Sequence, residues 1–292
     1  MKIGLLDVDS KIPNLALMKI SQYHKMQGDT VEHYLPLARN LYHKVYASKI
    51  FDFSDGSDIQ PEMIVGGSGS DLKTNLPNEI DEMIPDYSLY NYPHNIGFAM
   101  RGCRFKCGFC VVPKKEGRPK SVNTIEKLWT QRTSDFLVLL DNDFFGNPEW
   151  SDRIAEIKEL GLTVNFSQGL NIRIISQKQA EALASVKFSN INRTKKQVTF
   201  AWDQMKDEKV IKRGFQRVID AGIKPYQMQF YVLIGFNTTP EEDMHRVMML
   251  KNWGCDPYAM PFDKTDPYQQ KFVRWVNHRA IFKSCTFKEY IG

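Results

Sequence analysis

The chain has 292 residues, 42% hydrophobic and 25% charged, with a formal net charge of +5, a composition ordinary for a globular protein of one or two domains. Its longest purely apolar stretches, such as F-L-V-L-L at 136–140, are far too short to span a bilayer. Charge is uneven: residues 1–100 carry 8 Lys/Arg and 13 Asp/Glu, net −5, whereas residues 101–292 carry 31 and 21, net +10. A basic half favours an anionic substrate such as a nucleotide, a nucleic acid or a phosphorylated metabolite; scattered, solvated lysines are the alternative. Five cysteines, an odd count, with nothing resembling a signal peptide ahead of them, point to free thiols in a reducing cytoplasm.

In chain order, K-I-G-L-L at 2–6 reads as a buried strand ending at Asp7 and Asp9. From Pro13, Leu15, Leu17, Met18 and Tyr23 recur at helical spacing until Gly28 stops the pattern. Strands follow at 30–35, 43–48 and 63–70, the last running into the glycine turn V-G-G-S-G-S. This alternation predicts an α/β class and a small Rossmann-like, doubly wound parallel sheet over 1–84. The proline-bracketed, tyrosine-rich stretch at 85–94 is the predicted linker. Beyond it the alternation lengthens. Residues 95–100 lead into a cysteine loop, and a helix is expected around 122–132. Strands at 136–140, 163–167, 197–202, 227–234 and 257–262 alternate with helices around 148–160, 176–186, 207–221 and 240–252. That makes six βα-type units, closed by an amphipathic helix at 272–282 whose Phe272 and Trp275 belong to the core. Parallel α/β proteins keep their chemistry at the carboxyl ends of the strands. Here those ends are polar one after another and are expected to line a cavity.

The cysteine loop reads R-G-C-R-F-K-C-G-F-C-V-V-P and spaces Cys103, Cys107 and Cys110 as C-x3-C-x2-C. Thiolates this close in sequence can converge on one soft metal centre. Three of them satisfy three irons of a [4Fe–4S] cube and leave the fourth open. With the aromatic Phe109 before the last cysteine, the loop resembles the signature of radical S-adenosylmethionine (radical SAM) enzymes. The six units likewise resemble that family's partial (βα)6 TIM-like barrel, expected over 95–266 with a helical closure at 267–292. A zinc site completed by Cys255, Cys285 or His94 is the alternative for the metal.

The resemblance implies two cofactors, a [4Fe–4S] cluster and S-adenosylmethionine (SAM), with Phe109 near the adenine. It places Asp141, Asn142 and Asp143 at the SAM amino group, although the family's G-G-E form is absent, and a loop that merely caps the next helix is the other possibility. Gln168 and Asn171 would meet the ribose and Arg173 the SAM carboxylate, a group that guanidinium grips bidentately. Pairing of Arg173 with a helix acid is the alternative. Gly235 would let adenine approach the backbone. Asp203 and Asp263 are the catalytic candidates, facing substrate with Tyr258 and Met260. Glu241 and Glu242, after Pro240, read as first-turn helix acids. Lys114, Lys115, Arg118 and Lys120 either steer an anion or are solvated.

The amino-terminal region also resembles the cobalamin-binding-type domain that precedes many radical SAM barrels. Its cobalt-ligand motif D-x-H-x-x-G is missing, Asp9-Ser10-Lys11 standing at the first strand's end, so cobalamin is not expected. Before Cys103 there is no cysteine, which excludes the second cluster of the methylthiotransferases. The implied activity is a single-cluster enzyme that cleaves SAM reductively and abstracts a hydrogen atom from an unidentified anionic substrate. It would be served by a reducing partner such as flavodoxin or ferredoxin. Two rivals stand beside it. One is a nucleic-acid modification factor docking RNA or DNA through its basic half; the other is a non-catalytic iron–sulfur or zinc module.

Overall fold

Ile3 and Leu5, both almost fully buried, fix the first strand of a four-stranded sheet. The computed structural model describes residues 1–291, which divide into two units. The first comprises Met1–Ile96 with the short segments Cys110–Gly117 and Thr130–Ser134; the second takes Gly97–Phe109, Arg118–Trp129 and the chain from Asp135 onward. In the first unit β1 (Lys2–Asp7), β2 (Thr30–His33), β3 (Lys44–Ser48) and β4 (Ile64–Gly66) pair in parallel, in the order β2-β1-β3-β4. The helix Leu15–Met26 crosses from β1 to β2. It begins where the Asn14 side chain accepts the Leu17 N–H at 3.2 Å, and the chain leaves it through Gly28 at φ +78°. Its Leu17 and Ile20 pack with Ile3, Leu5 and Ile80.

Winding on both faces by helices was the expectation, but the crossover from β3 to β4 carries no helix. Its sequence, F-D-F-S-D-G-S-D-I-Q-P, is rich in residues that favour turns over helix. The glycines of V-G-G-S-G-S have a packing reason. A Cβ on Gly67 (φ +99°) or Gly69 would meet the backbone of Lys49 or Phe51 at under 2.5 Å, so the turn lies directly on the segment after β3.

The second unit is also parallel α/β. β5 (Asn95–Gly97) carries the unit boundary. β6 (Met100–Arg101) and β7 (Lys120–Ser121) form an antiparallel ribbon, Met100 opposite Ser121, closing the base of the cysteine loop. The main strands are β8 (Phe136–Leu139), β9 (Thr163–Phe166), β10 (Lys187–Phe188), β11 (Val198–Ala201), β12 (Met228–Ile234) and β13 (Asp256–Pro261). They pair as β10-β9-β8-β5 and β11-β12-β13, and a parallel bridge from Leu170 to Phe200 joins the turn after β9 to β11. Helices Trp150–Glu159, Gln177–Ala184, Glu208–Asp220 and Pro240–Asn252 run between successive strands. All four residues of β8 are fully buried, as a strand covered on both faces requires. Capping is explicit at Thr239, whose hydroxyl accepts the Glu242 N–H while Glu242 accepts the Thr239 N–H, with Pro240 at the first position.

Three elements depart from the sequence expectation. The helix expected around 122–132 is only Ile125–Leu128, because Gln131 donates its N–H to Asn95 Oδ1 at 2.7 Å and leaves helical geometry. The closing helix starts earlier, at Pro267 behind an Asp266 cap, and breaks at His278 into Pro267–Asn277 and Arg279–Ser284. Phe272 and Trp275 are buried within it as expected. The two-residue strand β10 had no visible signal. Among the described residues, no helix is long and apolar enough to cross a membrane.

Candidate active site in the second unit

Two anchors hold the cysteine loop where it leaves the ribbon. Arg104 donates through Nε to Asp143 Oδ2 at 2.7 Å and through Nη2 to Oδ1 at 2.8 Å, and its backbone N–H adds a bond of 3.2 Å. Asp143 is 1% exposed, so both of its oxygens serve the loop. Gly146 makes room for this pair, since a Cβ there would stand 2.4 Å from Asp143 Oδ2 and 2.8 Å from Arg104 Nε. Asp141, also buried, accepts the Ala99 N–H at 2.8 Å and so ties the end of β8 to the chain following β5. Asn142 between them is partly buried. The two aspartates after β8 therefore brace the chain around the loop, Asp143 through Arg104 and Asp141 through Ala99.

Arg173 is the residue that reaches the cysteines. It stands on a short turn after β9, where Asn171 Oδ1 accepts both its backbone N–H and its Nε at 3.2 Å. Nη1 donates to Asp207 at 3.1 Å, Nη2 lies 3.9 Å from Cys107 Sγ, and the guanidinium sits 4.2 Å from the centre of the Phe105 ring. Burial disfavours its cation, but Cys107 and Asp207 outweigh burial and its pKa is raised. The turn is held from outside by the helix Glu208–Asp220. Gly214 lets that helix come so close that a Cβ would collide with the Ile172 carbonyl, and Arg217 donates to the Ile175 carbonyl at 2.7 Å.

Asp203 follows β11 and accepts the Leu233 N–H at 3.3 Å. Burial pushes its carboxyl pKa up despite Arg246 and Arg173 nearby. Behind it Arg246, 0% exposed, donates to the Trp202 carbonyl at 2.8 Å and the Leu233 carbonyl at 2.9 Å and pairs with Asp243. Asp243 in turn accepts from the Gly235 N–H and the Thr238 hydroxyl. A buried ion pair thus fixes the carboxyl ends of β11 and β12. In front of it is a cavity of about 210 Å³ lined by Phe105, Cys107, Phe109, Arg173, Asp203 and Lys206, among others. Phe109 meets Phe236 edge-on at 5.3 Å.

Of the residues singled out in the sequence, Cys107, Phe109, Arg173 and Asp203 share this cavity, and Asn171 orients one of them. Others stand elsewhere. Gln168 is exposed. Gly235 has φ +77°, and the Gln269 side chain lies directly over it, in the space where a base was expected to approach. Asp263 is exposed and caps its own turn, accepting from the Thr265 N–H and hydroxyl at 2.8 and 2.6 Å. Sequence reasoning missed Arg104, Phe105, Asp207 and Arg246. The last had a signal: Asp243, Arg246, Val247 and Leu250 repeat at i, i+3, i+4, i+7, an inward helix face carrying an ion pair.

Cys103, Cys107 and Cys110 are each partly buried. The Cys103 sulfur accepts the Phe105 N–H at 3.5 Å. Among the described residues, no three His, Cys, Asp or Glu side chains are gathered closely enough to hold a metal ion. Cys255 is buried in the core, where burial pushes its thiol up to about 12. No protein-family model matches the chain, and no curated protein matches its sequence.

Proposed function

We propose that the chain is a radical SAM enzyme carrying one [4Fe–4S] cluster on Cys103, Cys107 and Cys110. The observation that carries this reading is the approach of Arg173 Nη2 to within 3.9 Å of Cys107 Sγ beside the Asp203 carboxyl. A cation suited to a carboxylate, a partly buried acid and a thiol in cluster spacing meet at the carboxyl ends of parallel strands. The six strands β5, β8, β9, β11, β12 and β13, neighbours in that order with the Leu170–Phe200 bridge between the two sheets, support a partial (βα)6 barrel as the scaffold.

The donor set fits the group: three thiols within eight residues, soft ligands of the kind iron–sulfur clusters take. Drawing them onto one centre requires local closure of the 103–110 loop, a folding step coupled to metal binding. When bound, cluster and SAM supply reductive cleavage to methionine and a 5′-deoxyadenosyl radical that abstracts hydrogen from substrate.

The chain's own residues do the rest. Arg173 offers a fixed positive charge whose geometry Asn171 and Asp207 set in advance, which favours a carboxylate without reorganisation. Asp203, whose carboxyl pKa burial raises, is the acid that lines the cavity beside Arg173. Phe105 and Phe109 supply the aromatic part of an otherwise mostly polar lining. Arg104 and Asp143 hold the loop against the end of β8. An anionic substrate, a reducing partner such as flavodoxin or ferredoxin, and a cytoplasmic setting complete the reading; the basic second half of the sequence is what supports the anion.

Iron analysis after anaerobic reconstitution tests the site, with SAM titrated calorimetrically into the same sample. About four irons per chain are expected, falling to background in Cys103→Ala/Cys107→Ala/Cys110→Ala. Arg173→Gln is expected to keep its iron and bind SAM about 10-fold to 100-fold more weakly, the worth of one charge-assisted hydrogen bond. A reconstituted chain that retains neither iron nor SAM would overturn the proposal.

A further inference from the structure

The amino-terminal ends of β9 and β10 lie at the opposite end of the strands from the cavity just described. Lys187 pairs there with Thr163, the first residue of β9. A cleft of about 430 Å³ opens at this end, lined by Ser185, Lys187, Arg193, Thr194, Lys195 and Lys196 around Thr163. No carboxylate lines it. Asp135 offsets Arg193 across 2.9 Å, while the three lysines are exposed.

The loop that presents these cations is rigidly built. Asn190 Oδ1 accepts the N–H groups of both Thr194 and Lys195 at 2.9 Å, and Ser189 Oγ donates to the Lys195 carbonyl at 2.9 Å. Asn165 on β9 donates to the Ser189 carbonyl at 2.8 Å, fastening the loop to the sheet. Arg193 is held at φ +57°, a left-handed conformation that a bulky residue rarely adopts. Its guanidinium is shared with Asp135 at 2.9 Å, so the three lysines carry the cleft's uncompensated charge.

From these placements we infer that the cleft docks the phosphodiester backbone of a nucleic acid. Four cations on ten consecutive residues, interleaved with hydroxyls, supply the donors that phosphate oxygens take. The apolar lining residues, Val186 and Phe188, are 5% and 3% exposed. They offer no face on which a base can stack, so the cleft reads charge and not sequence, and a mononucleotide gains little in it. This assignment is independent of the cluster chemistry, because every residue in it lies at the far end of the strands from Arg173.

The test is fluorescence anisotropy of a labelled 20-nucleotide single-stranded RNA with the full chain, over a series of salt concentrations. Lys187→Gln/Lys195→Gln/Lys196→Gln is expected to weaken binding by more than about tenfold at low salt. It should also reduce the slope of log K against log salt by about 2, near 0.7 for each phosphate no longer neutralised. Lys187→Arg/Lys195→Arg/Lys196→Arg should retain binding. A control that removes the same charge elsewhere, at the exposed Lys209→Gln/Arg213→Gln/Lys283→Gln, should bind as the natural chain does. Unchanged binding by the first variant, or an equal loss in the control, would overturn the assignment. Competition by ATP or inorganic phosphate as effective as that of unlabelled oligonucleotide would overturn the backbone as the occupant.

Discussion

Arg104 grips both oxygens of the buried Asp143 carboxylate, at 2.7 and 2.8 Å, and so fastens the cysteine loop to the turn after β8. Truncating the arginine leaves a carboxylate at 1% exposure without its counter-charge. A fully buried broken pair costs about 3–5 kcal/mol. Arg104 is 32% exposed, and water can reach the vacated space, so about 1–3 kcal/mol is the expected loss for Arg104→Ala. Arg104→Lys should recover little, because an ammonium cannot bond both oxygens in one plane. Urea unfolding monitored by circular dichroism measures both; a midpoint unchanged in Arg104→Ala would contradict the role.

Gly214→Ala inverts a common rule. Alanine in a helix interior normally gains about 1 kcal/mol over glycine. At this position a Cβ would collide with the Ile172 carbonyl, and the turn that carries Arg173 has to move. Such overpacking costs about 1–3 kcal/mol. The expected outcome is a lower urea midpoint together with weaker SAM binding by the reconstituted protein. A more stable Gly214→Ala chain would show that the helix does not set the turn.

Replacing Arg246 by methionine keeps much of the volume and removes the charge. Asp243 is then stranded in the core, and the Trp202 and Leu233 carbonyls lose their donor. About 3–5 kcal/mol of destabilisation is expected, as for other broken buried pairs. Arg246→Met combined with Asp243→Leu should recover part of it, because two apolar groups need no counter-charge. Equal stability of the single and double variants would argue against the pair as the source of the loss.

Asp203 gives a pH signature. Burial raises its folded pKa above the ordinary carboxylate value. The folded chain then keeps a proton that the unfolded chain has given up. The favourable contribution is fully present below the unfolded pKa of about 3.9 and is lost as pH rises through the folded value. Asp203→Asn keeps an acceptor for the Leu233 N–H and never ionises. Its stability relative to the natural chain is expected to climb as pH rises from about 4 and to level off above the folded pKa. Paired urea titrations across this range check it; a gap that stays flat or narrows with pH would contradict the assignment.

The strands were legible because their signal is local. Apolar runs such as F-L-V-L-L and Q-M-Q-F-Y-V-L-I fall within one or two residues of β8 and β12. The start of the helix Pro240–Asn252 was legible for the same reason, from Pro240 and the first-turn acids Glu241 and Glu242. What the sequence hid is what depends on residues far apart. Asp143 was read as a ligand contact, yet its partner lies 39 residues away on the cysteine loop. Gly235 was assigned to a base, but the Gln269 side chain, from an element 34 residues on, lies over it. For Arg173 the alternative of pairing with a helix acid describes the geometry, since Asp207 stands at the head of the next helix, and the same guanidinium also reaches Cys107. Lys187-Phe188 is too short to announce itself as a strand, and its cleft comes from the loop that follows.

The most direct test is the formation of 5′-deoxyadenosine by anaerobically purified, cluster-reconstituted protein given SAM and a strong reductant, alongside the Cys103→Ala/Cys107→Ala/Cys110→Ala variant. A radical SAM enzyme releases 5′-deoxyadenosine from the natural chain and none from the variant. No 5′-deoxyadenosine from a chain whose cluster is intact and reducible, and which binds SAM, would contradict the proposed activity.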